Sequence, residues 1–356
     1  MPLYPSAEWA LQSATVVVWP HLQSDWGPYL ASSQDNAIER HYRSLCEQIA
    51  IYQQIIVIAY DAAHQQHIRG QCHAIAEDKL TIFVIKTNDT WVRDFGPQYF
   101  AKQGLDLQFN AWGNQYPCAL DAAFAENFHH QLCSSNKAPY LNIQAETLTP
   151  SQWTLEGGNL EFNGAGIVLF NYRCVLRNNP HLDLSEEQVS QQLCQQFSLQ
   201  QALSVDVPAL TGDDTGGHID TLARFIDEKH IVYAKTHQTK HTDTVTLAKL
   251  EQDLKRLAAT HDLQLTAVHA TATTLYNATN NIIPASYLNF LFINDALLLP
   301  LYNLASDPAV LAQFQQLLPQ RKIIGIDATA LIEQFGSIHC ATLHLTADLF
   351  KMEEGT

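Results

Sequence analysis

Charge is scarce in this chain and unevenly signed. Charged residues make up 16% of its 356 positions, and 20 Lys and Arg face 36 Asp and Glu, a formal net charge of −16. Lacking a positive surface, the protein is expected to bind neither nucleic acid nor an anionic membrane. Its charge favours encounter with small cations, and equally serves solubility. No apolar run reaches the ~18 residues of a spanning helix. The first residues, Met1 to Glu8, have neither the basic nor the apolar segment of a secretory signal. The seven cysteines (46, 72, 118, 133, 174, 194 and 340) are odd in number and scattered, with no CxxC pair. That excludes a disulfide framework and a structural zinc ribbon and fits reduced thiols in the cytoplasm. Low-complexity stretches and linker-like shifts are missing too. With 46% hydrophobic residues, positions 1–356 read as a single globular domain with a large core.

What is present is a recurrence. The polar, glycine-bearing stretch Thr211 to Phe225 carries Asp213, Asp214, His218 and Asp220 and runs into an apolar strand. His218 and Asp220, two apart, are expected on one face at the start of that strand. Stepping back by 62 residues gives Glu156 in Leu155-Glu156-Gly157-Gly158-Asn159, and a further 62 gives Asp94 in Trp91-Val92-Arg93-Asp94-Phe95-Gly96-Pro97. Near the end stands Gly336-Ser337-Ile338-His339-Cys340. The segments between follow one order: helix, strand, polar loop, hairpin. Helices are predicted over 34–50, 62–76, 119–134, 184–198, 243–259 and 307–318. Strands are predicted over 15–20, 55–60, 80–85, 140–144, 203–207, 263–268 and 322–326. Hairpins are predicted with turns at Gly104, Asn163-Gly164, Asp227-Glu228 and Asn294-Asp295. Repeated units each giving one group to a shared centre imply a radially repeated α/β fold.

Five groups stand out: Asp94, Glu156, His218, Asp220 and Cys340. A cysteine with a histidine has the parts for thiolate attack and proton transfer. Such a pair needs one orienting acid, and here there are three. Extra negative charge beside a thiolate is harmful unless the substrate is a cation. A planar guanidinium, gripped by carboxylates through its fork of N–H donors, meets that condition.

Together the motifs resemble the agmatine deiminase family, also known as the bacterial-type peptidyl-arginine deiminases. They are Trp-x-Arg-Asp-x-Gly-Pro (91–97), Glu-Gly-Gly-Asn (156–159), Asn-Pro-His-Leu (179–182), Asp-Thr-x-Gly-His-x-Asp (214–220), Ser-Tyr-x-Asn-Phe (286–290) and Ile-His-Cys (338–340). The resemblance spans nearly the whole chain. It implies the pentein fold, a fivefold pseudosymmetric α/β propeller. It also implies hydrolysis of agmatine to N-carbamoylputrescine and ammonia through a covalent amidino-cysteine, with no cofactor and no metal. Cys340 would be the nucleophile, His218 the proton carrier, Asp94 and Asp220 the guanidinium clamp, and Glu156 the group holding His218. The chain departs from the family's usual pattern in its 212–217 loop, in Phe335-Gly336-Ser337 and after Cys340, which bears on the substrate's tail.

Other readings accompany these. His218, Asp220 and His339 fit a metal-dependent amidohydrolase, and a non-enzymatic relative would be expected to lack Cys340 or His218. An arginine deiminase would need a cation for the substrate carboxylate, for which Arg93, Arg173, Arg177 and Arg224 are the loop arginines, and a peptidyl-arginine deiminase would need a wide, open site. Trp91 and Trp112 fit core aromatics, and Trp91 also fits the wall of a substrate channel. Asp213 and Asp214 fit loop caps or a site for a distal ammonium, with Asp214 taken as a substrate contact. Oligomeric state, including a homo-oligomer, is left open.

Overall fold

Runs of β-branched residues form the buried strands. Val16, Val17, Val18 and Ile55 to Ile58 are almost wholly enclosed, as expected of strands covered on both faces. The computed structural model describes residues 4–31, 36–100, 103–134, 147–236, 242–269 and 275–347. Gln12–Val18 lies between Thr342–Thr346, antiparallel to it, and Gln54–Ala59, parallel to it, and Leu80–Val84 adds a fourth strand. The strand nearest the start of the chain thus pairs with the last one described.

The same pattern, an antiparallel pair followed by a parallel strand, recurs in four three-stranded sheets. The first joins Gln98–Phe100, Gln103–Asp106 and Thr147–Pro150. The second joins Glu161–Phe162, Ile167–Asn171 and Gln201–Val205. Ala223–Asp227, His230–Lys235 and Gln264–His269 make the third, and Leu291–Ile293, Ala296–Leu301 and Lys322–Asp327 the fourth. A parallel partner cannot be reached by a tight turn, and between the first two strands of the four-stranded sheet, as in each of these four, a helix fills the crossover. Those helices are Ala37–Tyr52, Phe124–Ser134, Glu186–Gln196, Thr244–His261 and Asp307–Leu317. Ala37–Tyr52 buries Ile38, Tyr42, Leu45 and Ile49, an apolar stripe at helical spacing. Glu186–Gln196 starts at a capping box formed by Ser185 and Gln188.

The polar loops lie between each parallel strand and the next antiparallel pair, where the sequence places Asp94, Glu156, His218 and Cys340. Three local expectations are corrected. His218 and Asp220 do not begin a strand: His218 caps the short helical turn Ile219–Leu222, and the strand starts at Ala223. Strand alternation therefore says nothing about their relation to Arg224. Gly104 is not a turn residue: it pairs with Tyr99 inside the ladder. A Cβ there would come within 2.8 Å of the Tyr99 ring, so close packing explains the glycine. The helix from Ala62 ends at Gln71 instead of 76. The strand predicted over 140–144 lies outside the described residues.

Behind the loops sits a buried network of charge. Arg224, fully enclosed, donates to Glu161 at 2.7 Å, to Glu8 at 3.2 Å and to the carbonyls of Leu288 and Phe290. Arg93 donates to Glu8 at 3.2 Å and to the His339 carbonyl. These arginines hold the N-terminal segment and two sheets against the loops. Arg224→Met would leave Glu8 and Glu161 short of a partner in the interior, a loss of roughly 3–5 kcal/mol. Urea unfolding at an unchanged slope should show that loss. A change below about 1 kcal/mol would contradict a structural role for Arg224.

Candidate active site

The loops carrying the motif residues converge, and each has a local reason for its shape. Asp94 sits on the helical turn Val92–Phe95. Its Oδ1 accepts the Gly158 N–H at 2.9 Å, and its Oδ2 accepts the Trp112 indole N–H at 3.0 Å. A Cβ on Gly158 would lie 2.6 Å from His218 Nδ1 and 2.7 Å from Asp94 Oδ1, and one on Gly157 would lie 2.0 Å from the Arg93 carbonyl. The paired glycines after Glu156 are therefore required by close approach. Asn159 and Asn171 exchange bonds between side chain and backbone at 3.0 Å, and Asn171 Nδ2 donates to the Gly217 carbonyl at 2.7 Å, which ties the Glu156 and His218 loops together.

His218 Nε2 lies 2.7 Å from Glu156 Oε2, and its Nδ1 lies 3.5 Å from Asp94 Oδ1. Cys340 Sγ lies 3.7 Å from Asp220 Oδ2 and receives the Asn289 amide at 3.2 Å. Asn289 also donates to Asp220 Oδ2 at 3.1 Å, while its Oδ1 accepts the N–H groups of His339 and Cys340. It clips the cysteine turn to the Asp220 loop. All of these side chains are buried.

Trp91, Asp94, Asp214, His218, Asp220 and Cys340 line one cavity of about 380 Å³. A wider space of about 590 Å³ shares Trp91, Trp112 and Asp214 with it and adds Asp25, Asp89 and Glu333. Among the described residues, no Lys or Arg lines either space. The loop arginines are engaged elsewhere: Arg93 and Arg224 in the buried network, Arg173 on Asp206, and Arg177 on the Asp214 carbonyl. The two loop aspartates differ. Both line the cavity, but Asp213 caps its own turn through Thr215, whereas Asp214 accepts from Tyr116 at 3.1 Å and also lines the wider space.

The electrostatics follow from burial without water. Burial opposes a charge on His218, yet the Asp94 carboxylate and the Glu156 hydrogen bond hold its pKa well above the ordinary value. Burial, then the Asp220 and Asp94 charges, push the Cys340 thiol well above its usual range, so it is a neutral thiol here. Asp220 resists burial through its hydrogen bond to His339 and stays below the usual carboxylate range. Burial pushes Asp214 up to about 6.

The sequence did not single out Asn289, although it lies in a quoted motif of the loop that otherwise contributed no group. Cys174 reads from the sequence as a structural thiol near the loops, yet its thiol lies 3.5 Å from Glu156 Oε2. Among the described residues, Glu156, Cys174 and His218 form a group whose ligand atoms lie within 4.8 Å of one another. This differs from the His218, Asp220 and His339 set that sequence spacing offered for a metal. Trp112 lies in the core as expected and in addition donates to Asp94, with its φ held at 54°.

Burial also raises Asp94, to about 7 from 3.8, against the pull of His218. A carboxyl raised on folding is protonated more readily in the native state, so stability is lost as pH rises from the unfolded value through about 7. Asp94→Asn should therefore melt above the wild type at pH 8, with the gain shrinking towards pH 5. A variant less stable than the wild type at both values would contradict this.

The profile of the Porphyromonas-type peptidyl-arginine deiminases matches residues 4–345. A C. jejuni agmatine deiminase solved with substrate bound is 30% identical, with a TM-score of 0.82 over 96% of each chain. A Porphyromonas gingivalis protein, provisionally named an arginine deiminase, is 31% identical, with a TM-score of 0.86 over 98% of this chain and 99% of its own. An Enterococcus faecalis relative, provisionally named an agmatine deiminase, is 24% identical over 94% of this chain and 93% of its own. An amidinotransferase of saxitoxin biosynthesis from Microseira wollei, 11% identical with a TM-score of 0.50, shares the fold alone. With its family profile matched over almost its whole length, the chain belongs to the Porphyromonas-type peptidyl-arginine deiminase family.

Proposed function

We propose that the protein is an agmatine deiminase, hydrolysing agmatine to N-carbamoylputrescine and ammonia. The observation that carries this reading is one cavity in which Cys340, His218, Asp94 and Asp220 meet, with acids and, among the described residues, no Lys or Arg on its walls. A guanidinium between Asp94 and Asp220 supplies the positive charge those carboxylates lack. It also offsets the charges that keep Cys340 protonated, so substrate binding itself favours the thiolate.

The thiolate attacks the guanidino carbon, and a tetrahedral adduct forms. Ammonia leaves with a proton from His218, giving an amidino-cysteine. His218, neutral after that transfer, takes a proton from water, which attacks the same carbon. Collapse releases the carbamoyl product and the thiolate. Glu156 holds His218 throughout, and Trp91 forms part of the cavity wall. No cofactor is required by these steps.

The same reading extends to architecture and setting. The recurring sheets are the blades of one fivefold pseudosymmetric propeller, a single catalytic domain over 1–356. The partner is a small cationic guanidine, not nucleic acid or membrane, and the location is the cytoplasm. No helix among the described residues is long and apolar enough to cross a membrane.

Two observations favour rival readings. The Glu156, Cys174 and His218 group fits a metal-dependent hydrolase. The likeness to the P. gingivalis protein fits arginine as the substrate. Arginine differs from agmatine by a carboxylate, which would meet Asp214, Asp89 and Glu333 with no Lys or Arg among the described lining residues to pair it. Ammonia release should favour agmatine over free arginine by at least ~100-fold in kcat/KM, a gap of ~2.7 kcal/mol. Release should persist after treatment with a chelator. Equal rates on the two substrates would contradict the specificity, and loss of activity restored by a divalent ion would contradict the metal-free mechanism.

A further inference from the structure

We infer that Glu8 is a positioning residue for the substrate clamp: reaching the site through His339, it fixes the Asp220 carboxylate against the cavity. The inference rests on the proposed role of Asp220 in gripping the guanidinium. Glu8 belongs to the segment before the first strand, yet it is buried at 6% exposure among the loops. Its Oε2 lies 2.7 Å from His339 Nε2, and His339 Nδ1 lies 2.7 Å from Asp220 Oδ2. Its other oxygen accepts the Phe292 N–H at 2.8 Å and faces Arg224, so the carboxylate cannot swing away from His339.

The protons on this line can be counted. Each of the two 2.7 Å contacts needs one hydrogen between its heavy atoms. Burial opposes charge on Glu8, but His339, Arg224 and Arg93 hold its carboxyl well below the usual range. Asp220 is also held low, by His339. With both acids ionised, a neutral imidazole supplies one hydrogen and leaves the other contact repulsive. The line closes when His339 is the imidazolium. Burial and the Arg224 and Arg93 charges pull the ring below its ordinary value in spite of the two carboxylates, and it is the geometry, one 2.7 Å carboxylate contact at each ring nitrogen, that calls for the charged form. Facing the line, Arg93, Arg224 and His339 stand against Glu8 and Asp220, beside Glu161, raised by burial to about 7, and His344, pushed down to about 3 chiefly by burial. Cys340 lies at the open end, beside Asp220.

Two variants separate this role from plain support of the core. Glu8→Gln removes the charge facing His339. Glu161→Gln removes a charge from the same network, at Arg224, without touching His339. Without the imidazolium beside it, Asp220 takes up a proton at higher pH. For Glu8→Gln we expect kcat/KM on agmatine to fall by at least ~10-fold, chiefly through KM, with the acid limb of its pH profile moved upward. Glu161→Gln should leave that limb in place. An unchanged limb in Glu8→Gln, or the same shift in both variants, would overturn the inference. A readout independent of turnover uses the wild-type protein labelled with ¹⁵N in its histidines, the His339 signal being the one missing from His339→Gln. Both ring nitrogens should be protonated at neutral pH, and a single tautomer would overturn the inference. If no guanidine yields ammonia, the proposed function fails, and the ring signals still decide the state of the Glu8–His339–Asp220 line.

Discussion

Burying carboxylates costs several kcal/mol apiece unless each finds a cation or a set of donors, and this fold buries five around one centre. Glu8, Asp94, Glu156, Glu161 and Asp220 are each at most 6% exposed. They fall into two sets. On the inner side, Glu8 and Glu161 meet the fixed guanidinium groups of Arg93 and Arg224. On the cavity side, Asp94 and Glu156 share the imidazole of His218, and Asp220 meets that of His339. Compensation is partial in both sets, and burial raises Glu161 behind the site to about 7. The carboxyl of Asp94, raised to about 7, records that shortfall. A protein that spends its arginines on the scaffold leaves a cavity that favours a cation.

The loops bring these groups together only because backbone approaches backbone closely. Gly157 and Gly158 let the Glu156 loop pass between the Arg93 carbonyl and the His218 ring. Asn289 then links the cysteine turn to Asp220. Pairing of Thr342–Thr346 with Gln12–Val18 sets the cysteine loop beside the Asp94 loop, where Arg93 N–H donates to the Cys340 carbonyl at 3.2 Å. Local chain geometry, sheet pairing and site chemistry are thus one arrangement.

Much of this was legible in the sequence, for physical reasons. Equal intervals between Asp94, Glu156 and His218 reflect one supersecondary unit used repeatedly, and the helix-crossover pattern follows from hydrophobic periodicity. Asn294-Asp295 was readable as a turn, and Asp295 does adopt the left-handed conformation. What stayed hidden depends on contacts far apart in the chain. Glu8 meets His339 across 331 positions, and nothing in its own neighbourhood marks a buried acid. The face occupied by Arg224 could not be read by alternation, because a helical turn intervenes at Ile219–Leu222. Trp112 looked like a core aromatic, since one N–H gives no sign of its acceptor. The polar loops were identified by composition, whereas the roles of Asn289 and Cys174 emerged only from distances.

The central claim is that Cys340 carries the reaction in a cavity made for a cation. It is tested most directly by acid-quenching the enzyme during steady turnover of agmatine and measuring intact mass, followed by peptide mapping. The account predicts a fraction of the protein heavier by the mass of agmatine less ammonia, with the addition on Cys340. An addition on any other cysteine, or turnover undiminished in Cys340→Ser, would contradict it.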